Sequence, residues 1–196
     1  MESCLTKIGT FGPYRFGACQ DLDPAVKDRL FRIFEAPPDS SSGVLSGRAG
    51  PVLADIPGVG AVAVKHYRRG GMVRHLIKDR YLGFGKPRSR REYEMLKTVR
   101  SLGVPAPEPL VWAVRGCLFY RAFLVTRMID GARSLSDAGR RDEAFYRSAV
   151  GKTAGQIRLL IEHRIHHVDL HPGNVLVDGD GRVHVIDFDK ARRVPW

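Results

Sequence analysis

Near the end of the chain, two short apolar arms meet at an Asp-Gly-Asp-Gly turn. Asn174-Val175-Leu176-Val177 leads into Asp178-Gly179-Asp180-Gly181, and Arg182-Val183-His184-Val185-Ile186-Asp187 leads out. Gly and Asp between β-branched runs predict a β-hairpin. Antiparallel pairing would set Asn174, which opens one arm, beside Asp187, which ends the other. An amide oxygen and a carboxylate on neighbouring strands suit Mg²⁺, which takes a few protein oxygens and shares its other positions with phosphate and water. Asn, Asp and His are also ordinary turn residues, so the residues leading into the hairpin decide its chemistry.

Those residues are His167-Val168-Asp169-Leu170-His171-Pro172-Gly173-Asn174, an H-x-D-x-x-x-x-N pattern, and Asp187-Phe188 follows 13 residues after Asn174. Phosphoryl transfer of the kinase type needs one carboxylate near the attacking hydroxyl, then an amide and a second carboxylate on magnesium. Asp169, Asn174 and Asp187 supply these groups in that order. His167 is expected to brace the loop, with His166 and His171 as loop residues. A zinc site would need third and fourth ligands at a spacing that is absent here.

Such a site also needs a cation on the α- and β-phosphates and an acid to position it. Val62-Ala63-Val64-Lys65 is close to the V-A-I-K of the third kinase strand. Alternation places Ala61, Ala63 and Lys65 on one face, with Val62, Val64 and His66 on the other. Arg90 to Leu102 reads as a helix with Leu96, Val99 and Leu102 on its apolar stripe, stopped by Gly103 and Pro105. Glu92 and Glu94 diverge by roughly 200° on such a helix. Glu92, on the face of Leu96, is the expected partner of Lys65, and Glu94 is expected nearer solvent. A G-x-x-G turn at Gly47 and Gly50, ahead of the lysine, is the candidate phosphate-covering loop, with Arg48 beside it.

Lys65-His66-Tyr67-Arg68-Arg69-Gly70-Gly71, Lys78-Asp79-Arg80-Tyr81, Arg91-Glu92-Tyr93, Gly103-Val104-Pro105-Ala106-Pro107-Glu108-Pro109 and the closing I-D-F-D-K-A-R together resemble the bacterial lipopolysaccharide inner-core kinases. The match is to the Kdo (3-deoxy-D-manno-octulosonic acid) kinases first and the heptose kinases next. The resemblance covers about residues 44 to 193. It implies an α+β, protein kinase-like fold of two lobes: an antiparallel-sheet N-lobe with one main helix, and a short, mostly helical C-lobe. It implies ATP and Mg²⁺ as cofactors and a lipid A-linked Kdo or heptose acceptor. Asp169 would then be the catalytic base, Asn174 and Asp187 the Mg²⁺ ligands, and Lys65 with Glu92 the ATP-holding pair. The glycine loop is shorter than in protein kinases. Seven residues follow Asp189, with no A-P-E, so a shortened C-lobe is expected.

The expected organisation is an N-terminal extension over 1–43 and a kinase-like domain over 44–196. The N-lobe runs to about 128 and the C-lobe from about 132, with a hinge at Met128-Ile129-Asp130-Gly131. Strands are expected near 44–46, 51–55, 60–67, 110–114 and 122–128. Helices are expected over Asp23–Phe34, capped by Asp23, and over Asp142–Arg164. The net charge of +11 calls for an anionic partner or surface. No nucleic-acid motif of the usual kinds is visible, and no nucleic-acid partner is expected. Lys65 to Arg100 interleaves Arg and Lys with Tyr67, Met72, Leu76, Ile77, Tyr81 and Phe84, a pattern suited to an anionic membrane surface. Three widely spaced cysteines indicate neither a disulfide framework nor a zinc site. No apolar run of about 18 residues is present, and Met1-Glu2-Ser3-Cys4-Leu5 has no signal-peptide pattern. The expected location is peripheral, on the cytoplasmic face of the inner membrane. Two other readings stay open: a compact atypical serine/threonine protein kinase, and a kinase-like binding module with weak or no activity.

Overall fold

A computed structural model describes residues 5–36, 50–67, 81–82, 85–117, 119–138 and 143–195. Gly47, Arg48, the expected strand at 44–46 and the R-R-G-G and K-D-R stretches lie outside the described residues. The elements in chain order are β1 (Lys7–Phe11), β2 (Tyr14–Ala18), α1 (Pro24–Glu35), β3 (Val52–Ile56), β4 (Gly60–Tyr67), β5 (Tyr81–Leu82), α2 (Arg88–Ser101), β6 (Pro109–Arg115) and β7 (Phe119–Arg127). They continue with β8 (Arg133–Ser134), α3 (Leu135–Ala138), α4 (Glu143–Glu162), β9 (Ile165–His166), β10 (Val175–Val177), β11 (Val183–Val185) and β12 (Arg192–Arg193). The fold is α+β with antiparallel sheets. The chain divides into two compact units, one of residues 2–93 and 109–128, the other mainly of 94–108 and 129–196.

The first unit is built on the sheet β1-β2-β6-β7-β4-β3, with β5 also pairing β7. The sheet takes in more of the chain than the sequence reading gives it, because β1 and β2 lie in the segment set aside as an extension. The physical reason is aromatic burial. Phe11, Tyr14 and Phe16 join Val62, Val64, Val111, Phe123 and Val125 in one cluster, closed by Val26, Leu30 and Phe34 of α1. Those three α1 residues recur at a spacing of four, which keeps them on one helix face. Phe34 stacks on Phe123 at 4.3 Å between ring centroids. At the helix end, Glu35 accepts from the Tyr14 hydroxyl at 2.8 Å and pairs with Arg115. Burial, then the Glu35 carboxylate, push the Tyr14 phenol up to about 12. Pro24 stands in the first turn of α1, but the Asp23 side chain, expected to cap the helix, makes no capping bond.

Gly17 faces Trp112 across the β2–β6 pair. The buried indole lies over the glycine so closely that a Cβ there would overlap it. This close approach, rather than backbone freedom, is why β2 carries glycine in mid-strand.

In the second unit, β11-β10-β8 forms a small sheet and β12 pairs β9. Val175, Val177 and Val183 pack with Leu135 and Ala149 of α3 and α4. The segment after α2 is tied to the hairpin, since the Val185 N–H donates to the Pro105 carbonyl at 2.9 Å. Ala149, Thr153 and Leu160 form the buried stripe of α4, while Ile161 is 68% exposed. Among the described residues, nothing lies within 4 Å of where a Cβ on Gly151 would project. Among the described residues, no helix is long and apolar enough to cross a membrane.

Two glycines therefore predict opposite outcomes. Gly17→Ala forces the indole to shift and lowers stability by about 1–3 kcal/mol. Gly151→Ala adds helix propensity without a clash and raises stability by up to about 1 kcal/mol. Urea unfolding of both variants checks the signs.

Candidate active site

β4 alternates as its sequence demands. Val62 and Val64 enter the α1-side cluster, and Lys65 leaves the opposite face. The first turns of α2 are anchored on that opposite face. Ser89 Oγ donates to the Ala113 carbonyl at 3.3 Å, and Tyr93 Oη meets Cys19 Sγ at 3.3 Å. Glu92, 3% exposed, is thereby held within 2.8 Å of Lys65 Nζ. Its Oε2 also accepts from the Tyr67 hydroxyl. Lys65 Nζ lies 5.0 Å from the Tyr67 ring centroid, over its face. The buried carboxylate thus has an ammonium and a phenol as donors. The sequence pattern assigns Tyr67 to the basic, membrane-suited segment, but it is buried at the site, on the face that alternation from Lys65 gives it.

The remaining residues of the expected N-lobe site are less defined. Gly50 is exposed just ahead of β3, and among the described residues nothing lies within 4 Å of where its Cβ would be. Gly47 lies outside the described residues. β7 ends at Arg127, and the Met128 N–H bonds the Ala61 carbonyl at 3.0 Å. Gly131, with φ +60°, turns the chain just beyond.

In the second unit the loop and hairpin are locked to each other. The Ile186 N–H donates to the Asn174 carbonyl at 3.0 Å, continuing the β10–β11 register. Asn174 and Asp187 therefore sit at the same end of the hairpin. Asn174 is 9% exposed, and its Nδ2 donates to the Asp169 carbonyl at 2.9 Å. This bond occupies the NH₂ end of the amide and leaves Oδ1 as its accepting end. Asp187 adopts a left-handed conformation (φ 64°, ψ 60°) before the 3-10 turn Phe188–Lys190. An amide oxygen and a carboxylate form a hard-oxygen pair that fits a cation such as Mg²⁺. No group of three or more His, Cys, Asp or Glu side chains with metal-ligand geometry occurs among the described residues.

His167 braces this arrangement. Its Nε2 lies 2.9 Å from the Ile186 carbonyl, which only accepts, so Nε2 carries the proton. Its ring meets buried Phe188 edge-on at 4.7 Å. Val168 follows with φ +61°, a costly conformation for a β-branched residue. The turn is closed by the Asp169 N–H on the His167 carbonyl at 2.7 Å, and it delivers the Asp169 side chain 40% exposed. Asp169 Oδ2 lies 3.3 Å from Lys190 Nζ, a neighbour the sequence reading did not single out. His171 stays in the loop, its Nδ1 accepting from the Gly173 N–H at 3.1 Å.

The hairpin turn is held by Asp178, whose Oδ1 accepts from the Asp180 and Arg182 N–H groups at 3.0 and 2.9 Å. Its Oδ2 meets His184 Nε2 at 2.8 Å. Burial works against its charge, but the His184 bond and the two N–H donors outweigh that and hold the carboxyl below its ordinary value.

Residues 47–195 match the lipopolysaccharide kinase (Kdo/WaaP) family. Similar curated proteins include a 3-deoxy-D-manno-octulosonic acid kinase of Photobacterium profundum, 38% identical over 137 residues, which covers 66% of this chain and 56% of that protein. Another, of Vibrio parahaemolyticus, is 34% identical over 134 residues, covering 67% of this chain and 56% of the relative. A third, of Stenotrophomonas maltophilia, is 34% identical over 150 residues, covering 74% and 58%. The chain thus spans somewhat over half the length of these relatives.

The ion pair and the hairpin turn each carry a measurable consequence. Lys65→Met strands the Glu92 carboxylate and costs about 3 kcal/mol of stability, much of it recovered in Lys65→Met/Glu92→Gln. Additive losses in urea unfolding would contradict the pairing. Because the Asp178 pKa is depressed on folding, its contribution is present above the ordinary carboxylate value of about 4 and is lost as pH falls through the folded value. Asp178→Asn is therefore less stable than the parent near neutrality, and the gap narrows in acid, as thermal unfolding at several pH values will register.

Proposed function

The chain belongs to the lipopolysaccharide kinase (Kdo/WaaP) family, and from that premise we propose that it transfers the γ-phosphate of ATP to a hydroxyl of a lipid A-linked sugar. Kdo is the favoured acceptor, with heptose second. The curated relatives are named as Kdo kinases. The single observation that carries the reading is the Lys65–Glu92 pair, a strand lysine held by a 3%-exposed helix carboxylate. That arrangement is what orientation of the α- and β-phosphates requires. We assign the whole to a kinase-like fold of two lobes, with the sheet unit as the N-lobe.

Lys65, held in one position by Glu92, meets the phosphate charge with little reorganisation. Asn174 Oδ1 and the Asp187 carboxylate would hold Mg²⁺, which would supply neutralisation of phosphate charge. Asp169, exposed on a loop fixed at both ends, orients the sugar hydroxyl and accepts its proton as the bond to phosphorus forms. Holding these groups in place makes positioning and electrostatics the main sources of rate. The net charge of +11 supports a place at an anionic surface. We assign the chain to the cytoplasmic face of the inner membrane, as a peripheral protein.

Labelled γ-phosphate transfer from ATP to Kdo-lipid A, with Asp169→Asn as the control, tests the reading. Label on the sugar, reduced at least about a hundredfold in Asp169→Asn while ATP affinity changes little, is expected. An equal loss of ATP binding would remove Asp169 from its role. Label on protein instead of glycolipid would favour a protein acceptor.

A further inference from the structure

Lys190 closes the 3-10 turn that begins after Asp187, and it touches the carboxylate assigned as the base. Its Nζ is 3.3 Å from Asp169 Oδ2, with the two side chains 58% and 40% exposed. An ion pair this open contributes roughly 0–1 kcal/mol, so fold stability gives little reason for a lysine at this place. The backbone beneath it is firm. Phe188 is buried and the Ala191 N–H bonds the Phe188 carbonyl at 3.0 Å. A hydrogen-bonded turn over a buried phenylalanine thus presents an exposed cationic head beside Asp169.

An ammonium has three N–H donors in a rotating array, and the Asp169 contact uses one. With both side chains open to solvent, the other two can serve an acceptor molecule that approaches Asp169. Positive charge continues along the chain. Arg192 pairs with His166 in the β9–β12 ribbon, and both are exposed. Arg193 follows, and its charge, after burial, helps to lower the pKa of Arg164. A neutral sugar would gain less from this surface than an anionic one, which adds charge attraction to the hydrogen bonds. The relatives' printed acceptor is an octulosonic acid, which carries a carboxylate on the ring that bears its hydroxyls.

We propose that Lys190 is an acceptor-binding residue, donating at once to Asp169 and to the carboxylate of an acidic sugar, so that recognition of the acid aligns a hydroxyl on the base. The inference rests on the phosphotransferase reading for its acceptor, and it deepens that reading from a sugar hydroxyl to a carboxylate-marked sugar. The ordinary transfer step is unchanged: the hydroxyl oxygen bonds phosphorus, ADP leaves, and the hydroxyl proton passes to Asp169.

The test compares Kdo-lipid A with its counterpart in which the Kdo carboxylate is reduced to an alcohol. Binding by calorimetry and KM in phosphate transfer are both read, for the parent chain, Lys190→Gln and Lys190→Arg. The parent is expected to prefer the carboxylate form by on the order of tenfold to a hundredfold. Lys190→Gln loses that preference, Lys190→Arg keeps most of it, and KM for ATP moves little. Equal losses on both acceptors, or a parent indifferent to the carboxylate, overturn the proposal. Carboxylate-dependent, Lys190-dependent binding without phosphate transfer would uphold the acceptor site and overturn the phosphotransferase reading.

Discussion

A carboxylate buried to 3% exposure dominates the chemistry of the sheet unit. Glu92 is tolerable there only because Lys65 and Tyr67 both donate to it. Each of the three positions constrains a larger element. Lys65 and Tyr67 must leave one face of β4, which sends Val62 and Val64 into the α1 cluster. Glu92 must lie on the inward face of α2, whose start is tied to Ala113 and Cys19. The strand register and the helix rotation are therefore set by the same ion pair that presents the ammonium for use.

The second unit solves a different problem with local strain. Asp169, Asn174 and Asp187 come from one stretch of chain, and neighbouring backbone holds them. Val168 takes a positive φ that is costly for a β-branched residue, while Asp187 takes the left-handed conformation that Asp tolerates better than most residues. His167 compensates by joining the loop to Ile186 and Phe188. Asn174 serves two ends at once, its NH₂ on the Asp169 carbonyl and its backbone carbonyl on Ile186. Base and metal-ligand candidates are thus tied to each other by short side chains, the Asn174 amide and the His167 ring, bonded to backbone carbonyls.

Much of this was legible in the sequence where a local rule applies. β-branched runs mark β4, β6, β7 and the hairpin, and strict alternation sorts the faces of β4. Helical spacing picks Glu92 over Glu94. β1 and β2 escaped because Gly9 and Gly17 interrupt their apolar pattern, and the reason for Gly17 is Trp112, distant in sequence. Asp23 reads as a helix cap by type, yet its side chain does not make the bond. Ile161 fits the apolar stripe of α4 by spacing and still faces solvent, because Ala149, Thr153 and Leu160 define the buried line. Lys190 enters the sequence reading only as part of the closing I-D-F-D-K-A-R, and it is the turn after Asp187 that brings it to Asp169.

The central claim is that these groups act on a Kdo hydroxyl. Mass spectrometry of Kdo-lipid A after incubation with the chain, ATP and Mg²⁺ tests it most directly. The account predicts a gain of one phosphate that fragments with the Kdo residue, dependent on Asp169. An unmodified glycolipid, or phosphate found on lipid A alone, would contradict it.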